Sequence, residues 1–316
     1  MLSYDDVRAA ASRIAGRVRP VAVTPATPPS TAPGDEGERL WFALEFLQYT
    51  GSFKARGALN FTAAHLQAGD MPDAGVVIAS GGNAGLACAW AAAQHQVPAT
   101  VFVPETAPRV KVEALRAQGA DVRLSGREYA EAAEAAHKFA EQSGALASHA
   151  YDNPLIAAGA GTLLDEIRAA RPDVTTVVVA TGGGGLFAGM ATAAAAHGIR
   201  VVSVEPEGSR ALHAGLAAGR PVDVPVDSVA ADSLGARRAS ADAVRLAAAG
   251  HTRSVLVSDS AIRAARRQLW QAHRVVVEHA AATAYAALLS GAYVREPDEV
   301  TCVLLCGANT DPADLG

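Results

Sequence analysis

The stretch that decides the fold is residues 76–94, VVIASGGNAGLACAWAAAQ. Its β-branched start predicts a buried strand over residues 76–80, and the glycines that follow predict a tight turn over residues 81–85. The apolar remainder, residues 86–94, predicts a helix. A strand, a turn and a helix in this order form one unit of an α/β fold, because parallel strands need helical crossovers.

Units of the same kind continue in both directions along the chain. Residues 145–149 close a first block, a second block begins near Tyr151, and we predict an α/β fold with a cleft between the two blocks. The Pro-rich residues 24–34 exclude a helix and predict a surface connection. The other predicted strands are residues 39–48 (one or two strands), 99–103, 121–124, 175–180, 200–205, 254–257 and 300–305, and the other predicted helices are residues 3–17, 57–69, 107–118, 127–143, 157–168, 186–196, 209–218, 260–273 and 280–289.

The composition argues against several classes of protein. Half of the 316 residues are hydrophobic, 19% are charged and the net charge is −5, so the chain has no basic tract for nucleic acid or a membrane surface. Cys88, Cys302 and Cys306 are an odd number without paired metal-ligand spacing, which argues against a disulfide scaffold and a structural metal site. The sequence shows no signal-peptide pattern and no apolar run of membrane-spanning length. We therefore expect a cytoplasmic protein without a metal, a nucleic-acid partner or a membrane.

A candidate nucleophile lies in residues 45–58, EFLQYTGSFKARGA, where Lys54 follows an apolar run and a Gly-Ser turn. Burial disfavours the ammonium form of a lysine and lowers its pKa, which makes the amine a nucleophile and a Schiff-base former. Taken alone, a lysine in such a segment is more often a hydrated surface residue. A catalytic role for Lys54 therefore depends on the other motifs.

A glycine loop, residues 181–185 (TGGGG), connects a β-branched strand to an apolar helix. Its N–H groups can converge on an anion, and the following helix points its positive end at the loop, so the pattern predicts a phosphate site. The same residues also fit a dinucleotide fingerprint, Gly183-x-Gly185-x-x-Ala188, with Glu205 ending the next strand as a ribose-binding acid. The local sequence leaves both interpretations open.

Two further segments place polar or reactive groups at the ends of predicted strands. The SGGNAG turn, residues 80–85, exposes N–H groups at a helix start that suit a carboxylate, and Asn83 can offer its amide to a phenolic or carbonyl oxygen. Cys306 places a thiol where α/β sheets bind ligands. Each segment alone also fits a plain interpretation, as an ordinary strand-to-helix loop and as a small core residue.

Taken in order, the motifs resemble those of the fold-type-II pyridoxal-phosphate enzymes: Ser52-Phe53-Lys54-x-Arg56-Gly57, the SGGNAG turn, the glycine loop and Cys306-Gly-x-Asn309. Within this class, the chain is similar to the serine/threonine dehydratase (ammonia-lyase) family over almost its whole length. The resemblance implies a two-domain α/β fold of the tryptophan synthase β type, with mostly parallel sheets flanked by helices. It implies a large cofactor-binding domain of residues 1–55 and 151–316 and a small substrate-side domain of residues 56–150.

The resemblance also implies a role for each motif residue. Lys54 would bind pyridoxal 5'-phosphate as a Schiff base and act as the catalytic base, and Phe53 would pack on the cofactor ring. Asn83 would hydrogen-bond the phenolate oxygen of the ring, and Cys306 would face the ring nitrogen. The remaining roles are phosphate binding by Gly182, Gly183, Gly184, Gly185 and Leu186, and binding of the substrate carboxylate near Ser80, Gly81 and Ala84.

The implied reaction eliminates the β-hydroxyl of L-threonine or L-serine and gives a 2-oxo acid and ammonia. The alternatives are another fold-type-II chemistry (β-replacement, threonine synthase-like chemistry or racemisation) and an NAD-linked oxidoreductase. Gly81 stands where related racemases carry a serine, which argues against racemisation. Ala211 stands where relatives place a polar residue of a cation site, which argues against a bound metal. The resemblance also implies a homodimer.

Overall fold

The computed structural model describes residues 1–26 and 39–315. Within these residues ten strands form two sheets, which helices flank as the sequence predicts. The strands are β1 (Val23–Pro25), β2 (Leu40–Ala43), β3 (Val76–Ala79), β4 (Ala99–Val103), β5 (Asp121–Leu124), β6 (Leu146–Ala147), β7 (Thr176–Ala180), β8 (Arg200–Pro206), β9 (Thr252–Val257) and β10 (Thr301–Leu304).

The larger sheet has six strands in the order β1-β2-β10-β7-β8-β9, and the smaller sheet has four in the order β5-β4-β3-β6. Among the described pairs, β1 with β2 is antiparallel and the others are parallel. The last strand, β10, lies between β2 and β7, with Cys302 opposite both Trp41 and Val177. Segments from the two ends of the chain therefore meet in the middle of one sheet.

The helices connect and cover these strands. Asn153 caps the sixth helix by accepting a hydrogen bond from the N–H of Leu155, and Pro154 occupies its first position, where a missing N–H costs nothing. The α-helices are α1 (Tyr4–Ile14), α2 (Lys54–Ala68), α3 (Asn83–Gln94), α4 (Arg109–Ala117), α5 (Tyr129–Ser143), α6 (Pro154–Ala170), α7 (Gly185–Ala195), α8 (Ala211–Ala218), α9 (Ala231–Leu234), α10 (Ala241–Ala247), α11 (Asp259–His273) and α12 (His279–Leu289). None of the helices in the described ranges is both long enough and apolar enough to span a membrane.

Most predicted elements are present, with their ends shifted by a few residues. The segment 39–48 holds β2 and then a short 3-10 helix, Glu45–Leu47. The helix predicted from residue 57 begins at Lys54, so the lysine is the first residue of α2 rather than part of the preceding turn.

Two regions differ more from the sequence prediction. The short helices α9 and α10 were not predicted, although Ser240, which caps α10, is a typical start signal. In the Pro-rich segment, Thr24 and Pro25 belong to β1, and residues 27–34 lie outside the described residues.

The fold brings the sequence motifs to one region. The SGGNAG turn follows β3, the glycine loop follows β7, and Cys306 follows β10. Because the carboxyl ends of parallel strands form the ligand-binding edge of an α/β sheet, these three segments lie at the edges where a site is expected.

Candidate active site

A cavity of about 730 Å³ lies between the loops that leave the two sheets. Every residue predicted for the site lines this cavity, namely Phe53, Lys54, Ser80, Gly81, Asn83, Ala84, Gly182, Gly183, Gly184, Gly185, Leu186 and Cys306. Four segments that are far apart in the sequence thus meet around one space of the size that small-molecule sites have. The individual role of each residue stays a prediction.

Lys54 is a half-buried residue that lines the cavity. Its Nζ donates a hydrogen bond to the carbonyl oxygen of Ala150 at 3.1 Å and lies 4.4 Å from the centroid of the Phe53 ring. Burial lowers the pKa of Lys54 to about 8, while Cys306 and Glu278 oppose that shift. Such an amine is partly uncharged near neutral pH, so it can serve as a nucleophile and as a base.

Backbone hydrogen bonds attach the Lys54 segment to the end of β10. The N–H of Phe53 donates to the carbonyl oxygen of Cys306 at 3.0 Å. An isolated antiparallel bridge joins Ser52 to Gly307. The amine and the thiol are therefore held on adjacent, hydrogen-bonded pieces of backbone.

Arg56 fixes the start of α2 through a buried ion-pair network. Its guanidinium is fully buried and donates to both carboxylate oxygens of Glu45, at 2.7 and 3.0 Å. It also donates to both oxygens of Glu166, at 2.5 and 2.8 Å. Burial raises the pKa of Glu45, and the charge of Arg56 opposes that shift. This planar, bidentate pairing is specific to arginine and holds the helix that carries Lys54.

The glycine loop offers unpaired N–H groups at the start of α7. Within the described residues, the N–H groups of Gly182, Gly183, Gly184 and Gly185 donate to no backbone carbonyl. Gly184 has a φ of +94°, which favours glycine, and the first turn of α7 contributes further free N–H groups. Converging N–H groups at the positive end of a helix form a site for an anion such as a phosphate.

The Tyr151 ring packs against Gly183 of the glycine loop and also lines the cavity, a contact that the sequence analysis missed. A Cβ atom on Gly183 would overlap the Tyr151 ring, and the Tyr151 hydroxyl donates to the carbonyl oxygen of Arg238 at 3.0 Å. Glycine at position 183 is therefore required by packing as well as by ligand access. An aromatic residue at the start of the second block gave no sequence signal for this contact.

The SGGNAG turn forms the start of α3. The helix begins at Asn83, so the N–H groups of its first turn, including that of Ala84, have no partner within the helix. The N–H of Gly82 donates to the Ser80 hydroxyl at 3.3 Å. These N–H groups beside Lys54 suit a carboxylate.

Cys306 contributes an uncharged thiol. Burial raises the pKa of Cys306 to about 12, and the carboxylate of Glu278 acts in the same direction. The thiol therefore keeps its proton at physiological pH and adds no negative charge to the cavity.

Glu278 was not among the predicted site residues, although it connects several of them. Its carboxylate accepts hydrogen bonds from Asn83 Nδ2 at 2.8 Å, Ser233 Oγ at 2.6 Å and the N–H of Asn309 at 2.9 Å. The residue is only 6% exposed. The available sequence signal was an acid placed between an apolar run and an apolar helix, where a carboxylate must find buried partners.

An ion pair crosses the mouth of the cavity. Lys111 Nζ on α4 lies 2.7 Å from Asp232 Oδ1 on α9, and both residues line the cavity. The side chains are partly exposed, so the pair adds little stability. It marks where the loops of the two sheets approach each other.

The dinucleotide interpretation of the glycine loop is not supported at Glu205. This residue is fully buried, and its two carboxylate oxygens accept the N–H groups of Leu212 and His213, both at 2.7 Å. Burial raises the pKa of Glu205 to about 7. The carboxylate caps α8 and is not available to a ribose. Within the described residues, no group of three or more His, Cys, Asp or Glu side chains could hold a metal ion.

Comparisons with known proteins agree with this geometry. A family model described as pyridoxal-phosphate dependent enzyme matches residues 19–307. L-threonine ammonia-lyase of Geobacter sulfurreducens is 38% identical over 278 residues, covering 87% of this chain and 68% of that protein. Phenylserine dehydratase of Ralstonia pickettii is 36% identical over 279 residues, covering 88% of this chain and 85% of that protein. Maize serine racemase has a similar structure, with a TM-score of 0.89 and 29% identity over 99% of this chain and 95% of that one.

The residues of the cavity fit pyridoxal 5'-phosphate. The glycine loop offers N–H groups without backbone partners to a phosphate, and Lys54 offers an amine of lowered pKa to an aldehyde in the same space. Asn83 and Cys306 line the same cavity. The residues that would hold the cofactor are Phe53, Lys54, Asn83, Gly182, Gly183, Gly184, Gly185, Leu186 and Cys306.

Proposed function

Because the chain belongs to the pyridoxal-phosphate dependent enzymes, we propose that it is a serine/threonine dehydratase. The reaction would remove the β-hydroxyl of L-threonine or L-serine and give a 2-oxo acid and ammonia. The observation that carries the proposal is that Lys54 and the glycine loop face one cavity, with the uncharged thiol of Cys306 on its wall. The names of the two curated relatives, an L-threonine ammonia-lyase and a phenylserine dehydratase, support it.

When bound, pyridoxal 5'-phosphate supplies an electron sink for the carbon atoms of an amino-acid substrate. Lys54 would take the α-proton, and its position on the cavity wall and its pKa of about 8 support this role. The carbonyl oxygen of Ala150, 3.1 Å away, orients the amine. The free N–H groups of the SGGNAG turn would hold the substrate carboxylate beside it.

Cys306 favours elimination over reactions that need a long-lived carbanion. A carboxylate at this position would stabilise a positive charge on the cofactor ring, whereas a thiol with a pKa of about 12 contributes no charge. We infer that Cys306 thereby favours prompt loss of the β-substituent over transamination. Gly81 has no hydroxyl that could protonate the opposite face of the α-carbon, which disfavours racemisation.

The substrate side chain is expected to point along the cavity towards the loop after β4. In the smaller sheet, β4 is a neighbour of β3, and Pro104 directly follows β4. Pro104 and Pro108 both line the cavity. Tyr129 also lines the cavity. This apolar extension favours including a larger substrate, such as phenylserine, in the activity tests.

The chain offers a matched test because it contains three lysines, Lys54, Lys111 and Lys138. Lys54→Ala should abolish both the visible absorbance band of the lysine-bound cofactor and the release of 2-oxo acid. Lys138→Ala should retain both, because Lys138 lies on α5 and pairs with Glu134 at the surface. Formation of 2-oxo acid from L-threonine, L-serine and phenylserine is the assay. Normal turnover by Lys54→Ala would exclude the proposed mechanism.

We further propose a cytoplasmic homodimer. The three cysteines are buried and none forms a disulfide, which fits a reducing compartment. The dimer rests on the family resemblance alone. Light scattering of the purified protein would measure its oligomeric state.

A further inference from the structure

A series of side-chain hydrogen bonds connects the segment before Lys54 to Glu278. Asn309 Nδ2 donates to the carbonyl oxygen of Thr50 at 2.8 Å and to Asn83 Oδ1 at 2.7 Å. Asn83 Nδ2 then donates to both carboxylate oxygens of Glu278, at 2.8 and 3.1 Å. We call Thr50, Asn309, Asn83 and Glu278 the amide chain.

Both ends of the amide chain have a fixed polarity. A backbone carbonyl accepts hydrogen bonds and cannot donate them, so Asn309 must turn its NH₂ group towards Thr50. At the other end, Glu278 accepts hydrogen bonds from Ser233 Oγ, from the N–H of Asn309 and from Asn83. A carboxylate that accepts from all its partners requires the NH₂ group of Asn83, not its oxygen, on that side.

The reversed orientation of Asn83 is therefore disfavoured at both ends. It would place Oδ1 against the carboxylate of Glu278 and would place Nδ2 against the NH₂ group of Asn309. Each of these contacts would lose a hydrogen bond and leave like partial charges facing each other. Two neighbours together thus determine which way the amide points.

This orientation leaves one N–H of Asn83 for a ligand. The NH₂ group has two hydrogens, and one of them serves Glu278. Within the described residues the second has no acceptor, and Asn83 lines the cavity that also contains Lys54. An oxyanion in the cavity is the partner that would satisfy this donor.

We propose that Asn309 and Glu278 are positioning residues, which hold the Asn83 amide with an N–H directed at the phenolate oxygen of pyridoxal 5'-phosphate. Ser233 assists by donating to Glu278 from α9. The proposal rests on the cofactor of the family and does not depend on which amino acid is the substrate. The positioning proposal can therefore fail while the dehydratase assignment holds, and the dehydratase assignment can fail while the positioning proposal holds.

The test is a double-mutant cycle on cofactor binding. Apo-protein is titrated with pyridoxal 5'-phosphate, and the dissociation constant is taken from the visible absorbance. Asn83→Ala should raise the dissociation constant by about ten- to a hundred-fold, the typical effect of losing one hydrogen bond to a charged group. Glu278→Gln keeps the shape of the side chain but can donate as well as accept, so it no longer fixes the direction of the Asn83 amide.

The cycle separates positioning from other effects of Glu278. If Glu278 acts through Asn83, most of the increase caused by Glu278→Gln disappears when residue 83 is already alanine. Glu278 can also affect cofactor binding through its charge near Lys54. That effect persists when residue 83 is alanine, so the increase that Glu278→Gln causes in the Asn83→Ala variant measures it. An equal increase in both backgrounds would overturn the proposal.

Two further measurements distinguish positioning from a structural role. The pH at which the visible band titrates should shift in the same direction in Asn83→Ala and in Asn309→Ala, a pair that leaves the charge of Glu278 near Lys54 unchanged. A purely structural role would lower the thermal midpoint without changing that titration, and this result would also overturn the proposal. Should Glu278→Gln fail to fold, Asn309→Ala takes its place in the cycle under the same criteria, since it removes the neighbour of Asn83 Oδ1 without changing any charge.

Discussion

At the scale of single residues, the protonation of Lys54 governs the site. Burial lowers the pKa of Lys54 to about 8, and only the uncharged amine can attack an aldehyde. We therefore predict that the rate of cofactor capture by apo-protein rises with pH and is half-maximal near pH 8. Below that pH the amine is protonated and capture slows. Stopped-flow absorbance across a pH series measures the profile.

A variant that removes the negative charge of Glu278 provides the control for this pH profile. Glu278 raises the pKa of Lys54, so Glu278→Gln should move the midpoint to a lower pH. A midpoint near the ordinary value for lysine, about 10.4, would contradict the burial of the amine.

Arg56 is the residue whose loss should destabilise the protein most directly. Arg56→Ala would leave the buried carboxylate of Glu45 without its cation, and we predict a loss of about 3–5 kcal/mol in the free energy of unfolding. Arg109→Ala, which breaks the exposed pair with Glu113, should cost less than about 1 kcal/mol. Urea denaturation of both variants measures the difference. Similar costs for the two pairs would show that burial does not set the strength of the Arg56 network.

At the scale of elements, the glycine loop packs closely against the Tyr151 ring. Gly183→Ala would push a methyl group into the Tyr151 ring, and we predict a loss of about 1–3 kcal/mol in the free energy of unfolding, with weaker cofactor binding. Denaturation and cofactor titration measure the two effects. In a Tyr151→Ala background the methyl group has room, so the same substitution should cost less. An equal cost in both backgrounds would exclude the ring as the obstacle.

Element prediction from the sequence succeeded where side-chain patterns were strong. The strands β3 and β7 were predicted from valine-rich runs between turn residues. The glycine loop was predicted from its position between a strand and a helix. The 3-10 helix Glu45–Leu47 was not predicted, because a short apolar segment fits a strand equally well. Glu45 in this segment pairs with the buried Arg56, a tertiary contact that no local pattern shows.

At the scale of the whole molecule, the amide chain shows what the sequence could not predict. Asn83 and Glu278 are 195 positions apart, and Asn83 and Asn309 are 226 apart. The motifs indicated Asn83 and Cys306 because each follows a predicted strand. The sequence marked Glu278 only as an acid before an apolar helix, and its contacts with Asn83 and Ser233 depend on the tertiary arrangement. The division into domains of residues 1–55 with 151–316 and 56–150 stays a prediction.

The insertion of β10 between β2 and β7 has a consequence for synthesis on the ribosome. Lys54 leaves the exit tunnel long before the backbone that holds its segment, at Cys306 and Gly307. The central position in the larger sheet stays open until then, so a nascent chain has no complete pocket for its cofactor. A complete cofactor pocket can therefore form only after β10 has been translated.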